Sequence, residues 1–193
     1  MQEQPVQLNC YINFEEAESD APLQKALSSL LPERVVNRIL QAASISQPVT
    51  LSLVITDDEE MQTLNKEYRQ QDKPTDVLSF PLLDEPLVDA PADQLWQATG
   101  ETGKEAAAKE AHPAFITPSD MPTNLGDIVI SWPTVARQAA QAGHHPVYEL
   151  LYLLSHGTLH LVGYDDQTEA GYQAMVRLQE SIMQEIDWDT LSQ

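Results

Sequence analysis

Over residues 6–14 apolar and polar positions alternate, and Val6, Leu8, Cys10, Ile12 and Phe14 fall on one face. A period of two predicts a strand with one buried side. Across 22–44 the spacing becomes helical, with Leu27, Leu30, Leu31, Val35, Ile39 and Leu40 as the apolar stripe. Pro32 divides that run into two helices, because proline suits a first turn and breaks an interior. Residues 49–56 form a second strand, and Thr56-Asp57-Asp58-Glu59 then matches a capping box that starts a helix at Thr56. The acidic run in its first turn follows from the helix dipole without any metal. A short strand at 77–80 is closed by Pro81, which points to a sheet edge.

A buried strand from Leu125 leads into a helix capped by Ser131, with Pro133 in its first turn and Gly143 as its stop. Pro146 starts the next helix, 146–162, whose Val147, Leu150, Leu151, Leu154, Thr158 and Leu161 make a core face. Thr168 caps a last amphipathic helix packed through Tyr172, Met175, Val176, Leu178, Ile182 and Ile186. Residues 84–123 carry no such pattern. Five prolines punctuate eight acidic and two basic residues, and the one helical piece, Lys104–Lys109, has no apolar stripe. The expectation is a single domain over 1–193 with a mobile, acidic, proline-rich insertion at 84–123.

Composition adds limits. The 193 residues suit one domain with a sizeable core, and 42% hydrophobic residues argue against wholesale disorder. No apolar run reaches the length of a membrane span, and no basic-then-apolar leader opens the chain, so a cytoplasmic location is expected. The single cysteine, Cys10, is expected in the core and excludes both an internal disulfide and a cysteine zinc site. A net charge of −20 repels phosphate, so binding to nucleic acid requires a local basic site, a metal or a helper.

The chemistry concentrates in Ser155-His-Gly-Thr-Leu-His-Leu-Val-Gly-Tyr-Asp-Asp166. His156 and His160 are just over one helical turn apart, so both imidazoles project from one face of an apolar helix. Gly163 ends that helix and lets the chain fold back with Asp165 and Asp166. Two imidazoles and a carboxylate suit a divalent ion such as zinc. The spacing His-x-x-x-His-x-x-Gly-x-x-Asp is similar to the zinc motif of metzincin proteases, which makes Asp166 the third ligand. Those proteases carry a glutamate base directly after the first histidine, where this chain has Gly157, so peptide hydrolysis by that route is excluded. His144 and His145 belong to a connecting loop and are not expected to bind metal. Upstream, Lys66, Arg69 and Lys73 place three of ten basic residues within eight positions. They read either as dipole-matched cations at a helix end or as a phosphate-binding patch.

Several separated motifs, taken together, resemble the YbeY family of bacterial endoribonucleases, the rRNA maturation factors. They are His156-Gly-Thr-Leu-His160-Leu-Val-Gly-Tyr-Asp165-Asp166, Asn65…Tyr68-Arg69…Asp72-Lys73-Pro74-Thr75-Asp76-Val77-Leu78-Ser79-Phe80-Pro81, Leu125-Gly126-Asp127-Ile128, and Gln138-Ala139…Gly143-His144. The resemblance spans the chain from about residue 48, the insertion apart. It implies an α+β fold, a small mixed sheet of about four strands packed with about five helices, and a metal site at the end of a central helix. It also implies a single-strand-specific, metal-dependent endoribonuclease acting in small-subunit rRNA processing and ribosome quality control. Its partners would be single-stranded regions of ribosomal RNA and the small ribosomal subunit, with neither DNA nor membrane. By the same resemblance His156 and His160 are metal ligands and Arg69 is the functional arginine.

The family's third ligand is usually histidine, and Asp166 stands there instead. Aspartate binds zinc too, but it cancels one unit of the ion's charge, lowers its acidity toward water, and widens metal choice toward manganese or magnesium. Two other readings compete. One is a ribosome-associated binding protein with a structural metal, and the other is a metal-dependent hydrolase of another substrate.

Overall fold

Val6–Ile12 (β1) lies parallel to Val49–Thr56 (β2), in register from Val6 opposite Val49 to Ile12 opposite Ile55. The computed structural model describes residues 6–18, 20–97 and 121–186. Val77–Pro81 (β3) and Thr123–Ser131 (β4) complete a four-stranded mixed sheet of order β1-β2-β4-β3, with β4 parallel to β2 and β3 antiparallel to β4. The helices are α1 (Glu15–Glu18), α2 (Ala21–Ser28), α3 (Leu31–Ala42), α4 (Asp58–Arg69), α5 (Trp132–Ala142), α6 (Pro146–Val162) and α7 (Glu169–Gln184). The architecture is α+β, as expected, with β3 at an edge. Lys104–Lys109 lies outside the described residues. Among the described residues no helix is long and apolar enough to cross a membrane.

On β2 the pattern of the sequence is reproduced directly: Val49, Leu51, Leu53 and Ile55 are buried against the helices while Thr50, Ser52 and Val54 are half-buried. The opposite face carries a smaller cluster of Met61, Leu78 and Val129, where α4 crosses the sheet. On β1 the expectation fails at Cys10, which is exposed. Among the described residues β1 has a neighbouring strand on one side only, and the rest of its inward row, Val6, Leu8 and Ile12, is itself only half-buried. Leu30, at the junction of α2 and α3, is 62% exposed, and Tyr172 on α7 is 50% exposed, so neither packs as its spacing suggests.

Asp57, and not Thr56, caps α4: its carboxylate accepts from Glu60 N at 2.8 Å, while Thr56 is the buried last residue of β2. Shifting the cap by one residue frees Asp58 to bridge. Its Oδ1 accepts from Ser131 Oγ at 2.5 Å and from Thr134 Oγ1 at 2.7 Å, and its Oδ2 faces Arg137 at 2.8 Å. The N-terminus of α4 is thereby tied to that of α5, where Ser131 is the expected cap. Between β2 and β4 the register slips near Thr50–Ser52, and Gly126 takes φ +122° there. A Cβ on Gly126 would fall 2.1 Å from Phe80 O, so only glycine lets β3 pair with β4 at this point.

Candidate metal centre

Helix α6 packs against α3, α5, α7 and the sheet, which explains its near-continuous apolar sequence. His145 caps it by accepting from Val147 N at 3.2 Å, and His144 faces Glu149 at 3.1 Å. Both loop histidines have local partners at the start of the helix. Gly157 lies on the sheet side, where a Cβ would come 2.8 Å from Ile128 Cγ2. The position that carries the glutamate base in metzincins is therefore turned into the core here, away from the face shared by His156 and His160.

The end of α6 is fixed by a segment expected to be mobile. Helix termini leave carbonyls without intrahelical partners. Gly163 N donates to His160 O at 3.2 Å and Tyr164 N to Leu159 O at 3.0 Å. Further donors come from residues 84–97: Leu87 N donates to Val162 O at 2.9 Å, Trp96 N to Gly163 O at 3.0 Å, and Trp96 Nε1 to His160 O at 3.0 Å. Val88 is buried, Leu95 bridges Tyr164, and Thr168 Oγ1 donates to Asp93 O. Gly163 has φ +131°, and its missing side chain leaves room for Pro86, whose Cβ would be 2.5 Å from an added one. The proline-rich character of 84–97 thus marks a strap packed on the helix end; 98–120 lie outside the described residues. Residues 121–123 lead into and begin β4.

Past the strap, Asp166 returns to the histidines. His156 Nε2 and His160 Nε2 are 3.1 Å apart, and each is 3.7 Å from Asp166 Oδ2. His160 Nδ1 lies 2.9 Å from Tyr164 O, a distance at which it donates, so its lone pair is on Nε2 and faces the other two groups. Ligands bound tetrahedrally to zinc at 2.0–2.1 Å stand about 3.3 Å apart. The three atoms fall on either side of that spacing, so the donor set fits a small divalent ion. Asp165 has no part in this cluster; its Oδ1 accepts from Gln167 N at 3.2 Å. A Cβ on Gly171 would sit 1.8 Å from Asp165 O, so a glycine early in α7 is what lets the turn carrying Asp166 lie so close.

Electrostatics agree with the geometry. Burial, and then the neighbouring His160, push His156 below the ordinary histidine range, keeping it neutral and able to ligate. The His160 imidazole facing its carboxylate outweighs partial burial and holds Asp166 down at about 2. Gln179 on α7 is buried beside His156, with Nε2 at 3.4 Å from both Tyr152 O and Ser155 Oγ, and its amide works against the lowering of His156. Sequence reasoning missed Gln179. The available signal was a polar residue between Met175 and Ile182 on an otherwise apolar helix face.

Arg69 ends α4 and lines the same cleft, about 720 Å³, as His156, His160 and Asp166. It is exposed. Gln70 follows in a left-handed conformation (φ 59°), and buried Asn65 holds the turn by donating to Lys73 O at 2.8 Å. Of the other two cations in the segment, Lys66 is paired with Asp72 at 2.8 Å. Of the three cations only Arg69 lines the cleft. Asp76, part of the same motif but given no role from the sequence, also lines it, and its oxygens accept from Val77 N at 2.8 Å and Gln138 Nε2 at 3.0 Å. Those bonds make it a brace between β3 and α5.

The family model for endoribonuclease YbeY matches residues 12–187. An endoribonuclease YbeY of Roseiflexus sp. (strain RS-1) is 37% identical over 159 residues, 82% of this chain and 83% of the relative. One from Moorella thermoacetica is 38% identical over 180 residues, covering 91% and 96%. The solution structure of TM1509 from Thermotoga maritima superposes with a TM-score of 0.52 at 20% identity over 93% of this chain and 88% of that one, a likeness of fold.

Proposed function

The chain belongs to the YbeY family of endoribonucleases, and from that membership we propose that it is a metal-dependent hydrolase cutting single-stranded ribosomal RNA. The reading extends to small-subunit rRNA maturation and ribosome quality control in the cytoplasm, with the small ribosomal subunit as partner. The observation that carries it is one cleft holding both a His156–His160–Asp166 cluster and the exposed guanidinium of Arg69.

In this reading His156, His160 and Asp166 hold the ion. Two imidazoles favour zinc, and the single carboxylate keeps manganese and magnesium within reach. When bound, the ion supplies Lewis acidity toward water and phosphoryl oxygen. Tyr164 O fixes the tautomer of His160, Gln179 orients His156, and burial keeps His156 unprotonated at neutral pH. Arg69 binds the phosphate and balances charge that develops on it during attack. Because the protein as a whole carries −20, this local cation and the ion are what make phosphate binding favourable. The chain is read as one domain over 1–193 with the insertion at 84–123, whose described stretch 84–97 packs on the end of α6.

The test is cleavage of a labelled single-stranded rRNA fragment and its duplex by the purified protein, before and after chelation, with zinc, manganese or magnesium restored. Chelation should stop cutting, one metal should restore it, and the duplex should resist. Arg69→Ala should lose at least about a hundredfold in rate with metal content unchanged. Equal cutting by Arg69→Ala removes the arginine from the mechanism, and cutting unaffected by chelation removes the metal.

A further inference from the structure

We propose that Trp96 is a stacking platform for an unpaired RNA base beside the phosphate held at the metal centre. This rests on the RNA-cleaving reading above and assigns a role to a strap residue that the reaction itself does not require.

Trp96 lines the cleft together with Arg69, His156, His160 and Asp166. Among the described residues of that lining it is the one phenylalanine, tyrosine or tryptophan. Its neighbours there are mostly charged or polar, including Gln71, Thr75 and Ser79. An indole in such company is not placed by core packing. Val88, Leu87 and Leu95 already anchor the strap to the core, so it does not need Trp96 for burial.

The indole is also held. Its backbone N–H donates to Gly163 O at 3.0 Å and its Nε1–H to His160 O at 3.0 Å. With both donors directed into the helix end, the ring has no hydrogen-bonding group left for the cleft and offers it only aromatic surface. An anionic phosphate gains nothing from such a surface, whereas every base has a face that stacks on it. Two hydrogen bonds fix the ring before substrate arrives, so little conformational entropy is lost on binding. A cation for the backbone and an aromatic for the base is how unpaired strands are bound without regard to sequence. A paired base is already stacked on its neighbours and cannot reach the ring, which gives the cleft its selectivity for single strands.

The experiment walks one abasic ribose along a single-stranded RNA oligomer. It measures kcat/KM for cleavage and, separately, Kd by anisotropy, for wild type, Trp96→Phe and Trp96→Leu. At one position the missing base should cost wild type about tenfold in both quantities. It should cost Trp96→Phe nearly as much and Trp96→Leu nothing further. Identical abasic profiles for wild type and Trp96→Leu overturn the proposal. Equal loss in Trp96→Phe and Trp96→Leu also overturns it, because phenylalanine keeps the aromatic face and loses only the Nε1–H bond. Binding with the expected profile but no cleavage supports the platform while sinking the nuclease reading. Cleavage without the profile sinks the platform alone, and neither binding nor cleavage sinks both.

Discussion

Gly157 and Ile128 meet so closely that a methyl group on the glycine would lie 2.8 Å from Ile128 Cγ2. This contact sets the distance between α6 and β4, and with it the depth at which His156 and His160 sit. Alanine at 157 would gain about 1 kcal/mol in helix propensity and lose about 1–3 kcal/mol to overpacking, so overpacking prevails. Gly157→Ala should melt several degrees lower than wild type, with reduced metal occupancy. Gly157→Glu should fail to fold instead of acquiring protease activity, and a soluble, metal-loaded Glu variant would contradict the core-facing placement.

Asp166 is the testable departure in the ligand set. Asp166→Ala removes one of the three proposed ligands and should lower metal retention well beyond tenfold, as measured by competition with a chromogenic chelator. Asp166→His restores a neutral ligand and leaves the bound ion more positive, which should favour zinc over manganese. Unchanged metal preference in Asp166→His would show that the carboxylate does not touch the ion.

Gln179 is buried beside Ser155 and His156 and belongs to no ligand motif. Replacing it with leucine keeps volume and apolar packing, so the melting temperature should change little. Metal affinity should fall about 10–100-fold, because the orientation of His156 is lost. Isothermal titration of metal into the stripped variant separates this from a packing defect.

The pH dependence of the metal-free protein has two windows. His156 sits below its ordinary value of 6.5 in the folded chain, so the unfolded chain binds more protons as pH falls through that value. Stability is full above 6.5 and declines with acidification below it. Asp166, held at about 2 against an ordinary 3.8, contributes stability above 3.8 that is lost as pH falls toward 2. Melting of chelator-treated protein should therefore weaken first as pH falls below 6.5 and again below 3.8. A flat profile from pH 7 to 5 would contradict the burial of a neutral His156. The first step should be smaller in His156→Asn.

Most of the scaffold was readable because its elements obey their periods. β2, α5 and α6 fall where alternation, Ser131, Gly143 and Pro146 place them. The His–His–Asp cluster was readable because four-residue spacing and a helix-ending glycine are local rules. Cys10, Leu30 and Tyr172 were misplaced because spacing tells which face a residue is on but not whether that face is covered. The strap was missed for a related reason. Its backbone hydrogen bonds go to the end of α6, more than sixty residues away in sequence, and no local pattern announces such a partner. Gly171 and Gln179 were likewise set by contacts across the fold.

The strap enters between β3 and β4, whereas the three proposed ligands come from α6 and the turn after it. The stretch that walls the cleft and the stretch that holds the ion are thus separate in the gene and meet only through hydrogen bonds at one helix end. Residues 84–97 contain none of the proposed ligands, so their cleft-facing positions can be changed without editing one, provided the bonds to Val162, Gly163 and His160 and the packing of Pro86, Leu87, Val88 and Leu95 are kept. For an engineer this puts one wall of the cleft and the proposed ion-binding residues on two stretches that can be mutated separately.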